Sequence, residues 1–149
     1  MKIKYGRNNA EGGNVLNSDF CVAVHGLVFL KHKGCTISSE ELAENICTNP
    51  ARVRKVMARL KKVGLVQTKE GKVYRVAEAL DIRFVEASWR SGDSDMNCMI
   101  ASGMADVMDE IYLNLNDMCL EKLKTITIGE IERKLIEIRA QKQAKAAVG

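Results

Sequence analysis

Proline is nearly missing from this 149-residue chain, which holds one, and aromatic residues make up only 5% of it. With 11 glycines beside that proline, collagen-like and low-complexity architectures are excluded. Histidine occurs twice, and neither His25 nor His32 stands at a metal-ligand spacing from a cysteine. The longest apolar run, 20–30, is broken by Cys21, His25 and Gly26. A membrane helix needs about 20 apolar residues, so no membrane partner is expected. The stretch from Met1 to Arg7 has no apolar signal core, which makes the expected location the cytoplasm. Five cysteines, at 21, 35, 47, 98 and 119, are an odd number at scattered spacings. They suit a reduced compartment better than a disulfide framework. There is no glycine-rich phosphate loop, no Ser/His/Asp ordering and no carboxylate pair beside a base, so an enzyme is not expected.

What is present is an ordinary globular balance, 46% hydrophobic and 28% charged, with the charge unevenly placed. The net +4 divides into +1 over residues 1–30, +7 over 31–75 and −4 over 76–149. Between 50 and 75, Arg52, Arg54, Lys55, Arg59, Lys61, Lys62, Lys69, Lys72 and Arg75 face only Glu70. Such a segment attracts polyanions; a solvated helix face is the alternative reading.

Periodicity divides the chain into a flexible arm (1–16), a DNA-binding region (17–76), a connector (77–97) and a C-terminal part (98–149). Asn17 or Ser18 is expected to cap a buried helix over 18–32. Ser38 and Glu41 have the form of a capping box opening a short helix, 39–46. Asn49 as cap and Pro50 in the first turn then predict a helix over 50–63. Its Val53, Val56, Met57 and Leu60 recur at helical spacing, and Arg52, Lys55, Arg59 and Lys62 stand opposite. Leu65–Thr68 and Val73–Val76, separated by a glycine-containing turn, read as a hairpin. The expected fold is therefore mostly α: a winged helix-turn-helix with a small two-stranded wing and a long C-terminal dimerisation helix.

The connector is expected to hold a short helix over 78–89 and a loop over 91–95. A long helix over 98–122 shows Ile100, Met104, Val107, Ile111, Leu115 and Met118 along one seam, interrupted by Asn114. A homodimer interface is the favoured reading; packing within one monomer is the alternative. Asp106, Asp109, Glu110 and Asp117 would form its solvated side. Thr127 with Glu130 opens a last helix, whose tail beyond Arg139 is expected to fray.

In order and spacing, the segments 18–25, 38–46, 60–66 and 127–131 together resemble the Rrf2 (Rrf-two) family of winged-helix transcriptional regulators. That family includes the IscR, NsrR and CymR types, and the likeness, over about 17–135, is greatest to a YwnA-like branch. It implies a homodimer on a palindromic operator. The family's wing glycine pair is shortened here to Gly71-Lys72-Val73-Tyr74. Iron–sulfur members cluster three cysteines before and at the start of the dimer helix, where this chain has Cys98 alone, so no cluster, cofactor or metal is expected.

The functional expectation is a sequence-specific DNA-binding regulator, a repressor acting on double-stranded DNA. Asn49, Arg52, Arg54 and Lys55 would reach base edges, and Arg59, Lys62, Lys69, Lys72 and Arg75 would contact phosphate. Cys98, behind Asn97 at the positive end of a long helix, is the candidate redox sensor for an oxidant or small-molecule effector. Asp93 and Asp95 would oppose its ionisation. Cys35 is expected in an exposed loop. Cys21, Cys47 and Cys119 are expected as small core residues, and His25 as a hydrogen-bonded core histidine. A winged-helix protein–protein module regulating an enzyme or complex is the alternative function.

Overall fold

Residues 15–67, 71–87 and 89–149 are described by the structure, a computed structural model. In chain order the described residues form α1 (Val15–Lys33), α2 (Ser39–Ile46), α3 (Pro50–Lys62), a 3-10 turn (Leu65–Gln67), α4 (Val73–Ala79), α5 (Met99–Leu123) and α6 (Ile128–Val148). The expected arm lies almost wholly outside them.

Local chemistry sets the α2–α3 pair. The Ser38 hydroxyl accepts the Glu41 N–H at 3.1 Å and opens α2, with Glu40 and Glu41 complementing its positive end. Cys47 closes α2 in the left-handed region, φ +61°. After the short turn the Asn49 carboxamide accepts the Arg52 N–H at 2.8 Å, and Pro50 takes the first turn of α3, where no N–H is needed. Gly64, at φ +77°, ends that unit. α1 begins at Val15, ahead of Asn17 and Ser18, so neither of the expected caps opens it.

These helices share one core. α1 contributes Val22, Ala23, Leu27 and Val28; α2 contributes Leu42 and Ala43; α3 contributes Val53, Val56 and Leu60. Leu65, Leu80 and Ile82 close it from the following segment, and Ile128 from the start of α6. Full burial of each of the Val, Leu and Ile side chains is worth about 1.5–3 kcal/mol.

The expected two-stranded wing is not found: among the described residues there is no strand. Leu65–Gln67 is a 3-10 turn, Val73–Val76 lies inside α4, and Lys69 is outside the described residues. The physical reason is burial. Val73, Val76, Ala77 and Leu80 fall at i, i+3, i+4 and i+7 and all pack into the core, a helical period that overrides the β preference of Val and Tyr. The expected helix over 78–89 is likewise displaced, since α4 ends at Ala79. Extended pairing survives only as a single bridge between Lys72 and Thr127, where the Val73 N–H reaches Ile126 O and the Ile128 N–H reaches Gly71 O, both at 2.9 Å.

α5 carries no fully buried residue. The connector is fastened to it by Asn116, whose carbonyl oxygen accepts the N–H groups of Phe84 (2.7 Å) and Val85 (2.9 Å). The Asn116 amide in turn donates to the carbonyls of Val85 and Tyr112. Gly92, at φ +73°, lets the loop approach α5 closely: a Cβ there would stand 1.9 Å from the Ala101 carbonyl oxygen, which accepts the Asp93 N–H. α6 opens on a complete capping box between Thr127 and Glu130. It runs to Val148 instead of fraying beyond Arg139. Glu132 on α6 ties back to α1 through His32 (3.1 Å) and Lys31 (3.9 Å).

Candidate nucleic-acid interface

α3 follows α2 across a short turn and packs against it, and its two sides are cleanly divided. Val53, Val56 and Leu60 are buried, and Lys55, Arg59 and Lys62 are exposed on the opposite side. A helix held by its apolar face and presenting three cations outward is suited to a groove lined by phosphates.

The other sequence-assigned residues are placed differently. The Asn49 side chain is engaged as the α3 cap. Arg52 is only 30% exposed: its guanidinium binds the Asp19 carboxylate at 2.8 Å and donates to the Ser18 hydroxyl, so it clamps α3 to α1. Arg54 pairs with Glu40 of α2 at 3.1 Å, both side chains being exposed. Lys72 caps α4, and Arg75, one turn on, donates to the Val63 carbonyl at 3.5 Å, beside the C-terminal end of α3. Lys61 belongs to the same basic segment and was given no role by the sequence; it is exposed on α3, next to Arg54's flank.

The seam residues of α5 are all exposed in the single chain: Ile100, Met104, Val107, Ile111, Leu115 and Met118. Leu113 on the other side of α5, and Leu135, Ile136 and Ile138 on α6, are exposed as well. Trp89 is 76% exposed in the connector. Asp106 and Asp109 are not simply solvated, as expected, because Arg90 pairs with both.

Cys98 itself is the α5 N-cap, in place of the expected Asn97. Its thiol is exposed, and the nearby backbone N–H groups of Ala101 and Ile100 hold its pKa below the ordinary thiol value. Cys35 is exposed, as its loop position suggests. Cys21 and Cys47 are exposed too, contrary to the core role expected, and Cys119 is half-buried. Cys47 faces solvent because it is the left-handed residue that ends α2. His25 keeps the expected hydrogen bond, to Asn45 Oδ1 at 2.7 Å, but lies at the surface.

The sequence profile of the Rrf2 family, described as iron-dependent transcriptional regulators, matches residues 16–134. A solved structure of a candidate transcriptional regulator from Lactobacillus plantarum shares the fold, with a TM-score of 0.64 at 16% identity. The overlap covers 88% of this chain and 98% of that one. No curated protein matches the sequence significantly. The family's iron does not fit the donors at hand: among the described residues no three His, Cys, Asp or Glu side chains converge on a common point. Cys98 is the single thiol at the start of α5. No described helix is long and apolar enough to cross a membrane. The profile match spans most of the chain, the α2–α3 pair lies within it, and the chain belongs to the Rrf2 family of transcriptional regulators.

Proposed function

We propose that the protein binds DNA sequence-specifically as a homodimer and acts as a repressor. The observation that carries this reading is the outward basic face of α3, with Lys55, Arg59 and Lys62 exposed opposite the buried Val53, Val56 and Leu60. Lys55, nearer the helix start, is suited to base edges, and Arg59 and Lys62 to phosphate. Lys72 and Arg75 would add phosphate contacts from the start of α4, and Lys69 from the segment before it. Asn49 would meet DNA as a helix cap. Arg52 and Arg54 would reach bases by exchanging Asp19 and Glu40 for the nucleic acid.

The dimer reading rests on the exposed apolar seam of α5, a length of surface seldom left bare by a monomer. Two α3 helices related by a two-fold axis would address half-sites about one helical turn apart. Cys98, exposed with a lowered pKa at the start of α5, is the proposed point at which an oxidant could bias that geometry.

The test is a gel shift against the DNA upstream of the protein's own gene, with random DNA as competitor. Retention of the specific complex at a competitor excess of about 1,000-fold is expected, in the range ordinary for specific binders. Equal affinity for both DNAs overturns the reading.

A further inference from the structure

A groove enclosing about 890 Å³ lies on the flank of α3 away from Arg52 and Asp19. It runs between the C-terminal end of α1, the extended segment before α2, and the 3-10 turn after α3. Its size falls in the usual range for organic ligands, about 300–1,000 Å³. The walls are apolar: Leu30, Ile37, Met57 and Val66 are half-buried, backed by fully buried Leu42 and Leu65. The rim is cationic. Lys31, Arg54 and Lys61 are the charged groups among the described lining residues, and no carboxylate is among them.

Arg54 and Met57, then Ala58 and Lys61, recur at i, i+3, i+4 and i+7, so one side of α3 supplies both an apolar wall and two cations. Arg54's pairing with Glu40 is solvent-exposed, and such pairs are weak enough for an incoming anion to displace. Lys61 has no ion-pair partner among the described residues. The backbone of Cys35, Thr36 and Ile37, on the opposite wall, makes no backbone hydrogen bond among the described residues. Leu65–Gln67 forms a 3-10 turn, and among the described residues no strand pairs with this edge.

From this combination of apolar walls and lining charges that are all cationic, with Lys61 unpaired among the described residues and Arg54 held only by an exposed, displaceable pair, we infer that the groove binds amphipathic organic carboxylates. The aliphatic or aromatic body lies against Met57, Ile37 and Val66, and the carboxylate meets Lys61, with Arg54 beside it. Apart from Arg54, which the DNA reading also uses, the groove residues lie off the outward face of α3 formed by Lys55, Arg59 and Lys62, so ligand binding can be read on the free protein, independently of DNA.

Titration of the isotope-labelled full chain with a series from hexanoate to dodecanoate, and with phenylacetate, tests this by nuclear magnetic resonance in the absence of DNA. Saturable shifts at Thr36, Ile37, Ala58 and Lys61 by at least one carboxylate are expected at sub-millimolar concentration. Decanol should bind at least tenfold more weakly than decanoate. Lys61→Glu should weaken carboxylate binding at least tenfold, and Ala58→Trp, which fills the groove from an exposed position, should abolish it. Absence of saturable shifts across the whole series overturns the proposal. So do shifts confined to the α5 seam, equal binding of decanol and decanoate, or indifference to both substitutions.

Discussion

Ile111 stands in the middle of the exposed seam of α5, and Ile111→Asp is the sharpest perturbation of the proposed dimer. In the single chain the six seam residues leave between 37% (Met104) and 67% (Met118) of their surface in water. That exposure is equivalent to about three whole side chains, and at about 1.5–3 kcal/mol each, coverage in a symmetric pair is worth about 12 kcal/mol. Association itself costs about 4–15 kcal/mol, so the seam has little margin to lose. Each Ile111, 43% exposed, carries about 1 kcal/mol of that gain. A carboxylate in its place adds a desolvation cost of several kcal/mol per ion, and two-fold symmetry doubles every term. The dimer dissociation constant should rise at least about 1,000-fold, equivalent to about 4 kcal/mol. Sedimentation equilibrium at micromolar concentration reads the change, with circular dichroism confirming that the exposed position leaves the helices intact. An Ile111→Asp protein as dimeric as the parent, or a parent chain that is monomeric throughout, would refute the assignment of the seam.

Three further outcomes follow from individual residues. Cys47→Gly should stabilise the fold by up to about 1 kcal/mol, because φ +61° strains a residue with a Cβ and costs glycine little; a lower melting temperature contradicts that. Asn116→Leu leaves the N–H groups of Phe84 and Val85 without their acceptor. A loss of about 2 kcal/mol is expected in urea unfolding, and a neutral result would mean water replaces the side chain. At pH 7, iodoacetamide should alkylate Cys98 faster in the folded than in the unfolded chain. The backbone N–H groups of Ala101 and Ile100 stabilise its thiolate, so the folded pKa lies below the unfolded one. The advantage therefore shrinks once pH rises above both values, where the thiol is ionised in either state. Slower folded-state alkylation at pH 7 counts against the sensor role.

Much of the helical framework could be read from short-range signals. Ser38 with Glu41, Asn49 with Pro50, and Thr127 with Glu130 each announce a helix start within four residues, and all three act as caps. The 65–76 segment misled because its Val and Tyr side chains and central glycine match hairpin chemistry locally. The contrary signal, Val73, Val76, Ala77 and Leu80 at helical spacing, gains its weight only from the core that those residues fill. Long-range pairings left no mark in the sequence. Arg52 meets Asp19 across 33 positions, and Asn116 meets Val85 across 31, so a cation counted for DNA became a clamp and a polar residue within the seam helix became a fastener. Exposure of Cys21 was unreadable for the same reason, since which side of the mostly apolar α1 faces water depends on its neighbours, whereas Cys47 is exposed as the left-handed residue that closes α2.

The central claim is that the outward face of α3 meets phosphate, and the salt dependence of DNA affinity measures that directly. Each phosphate neutralised contributes about 0.9 to the slope of log affinity against log salt, so Arg59 and Lys62 of both protomers, four cations, account for about 3.6. Replacing Arg59 and Lys62 by alanine should flatten the slope by about that amount while the fold is retained. An unchanged slope would contradict the account.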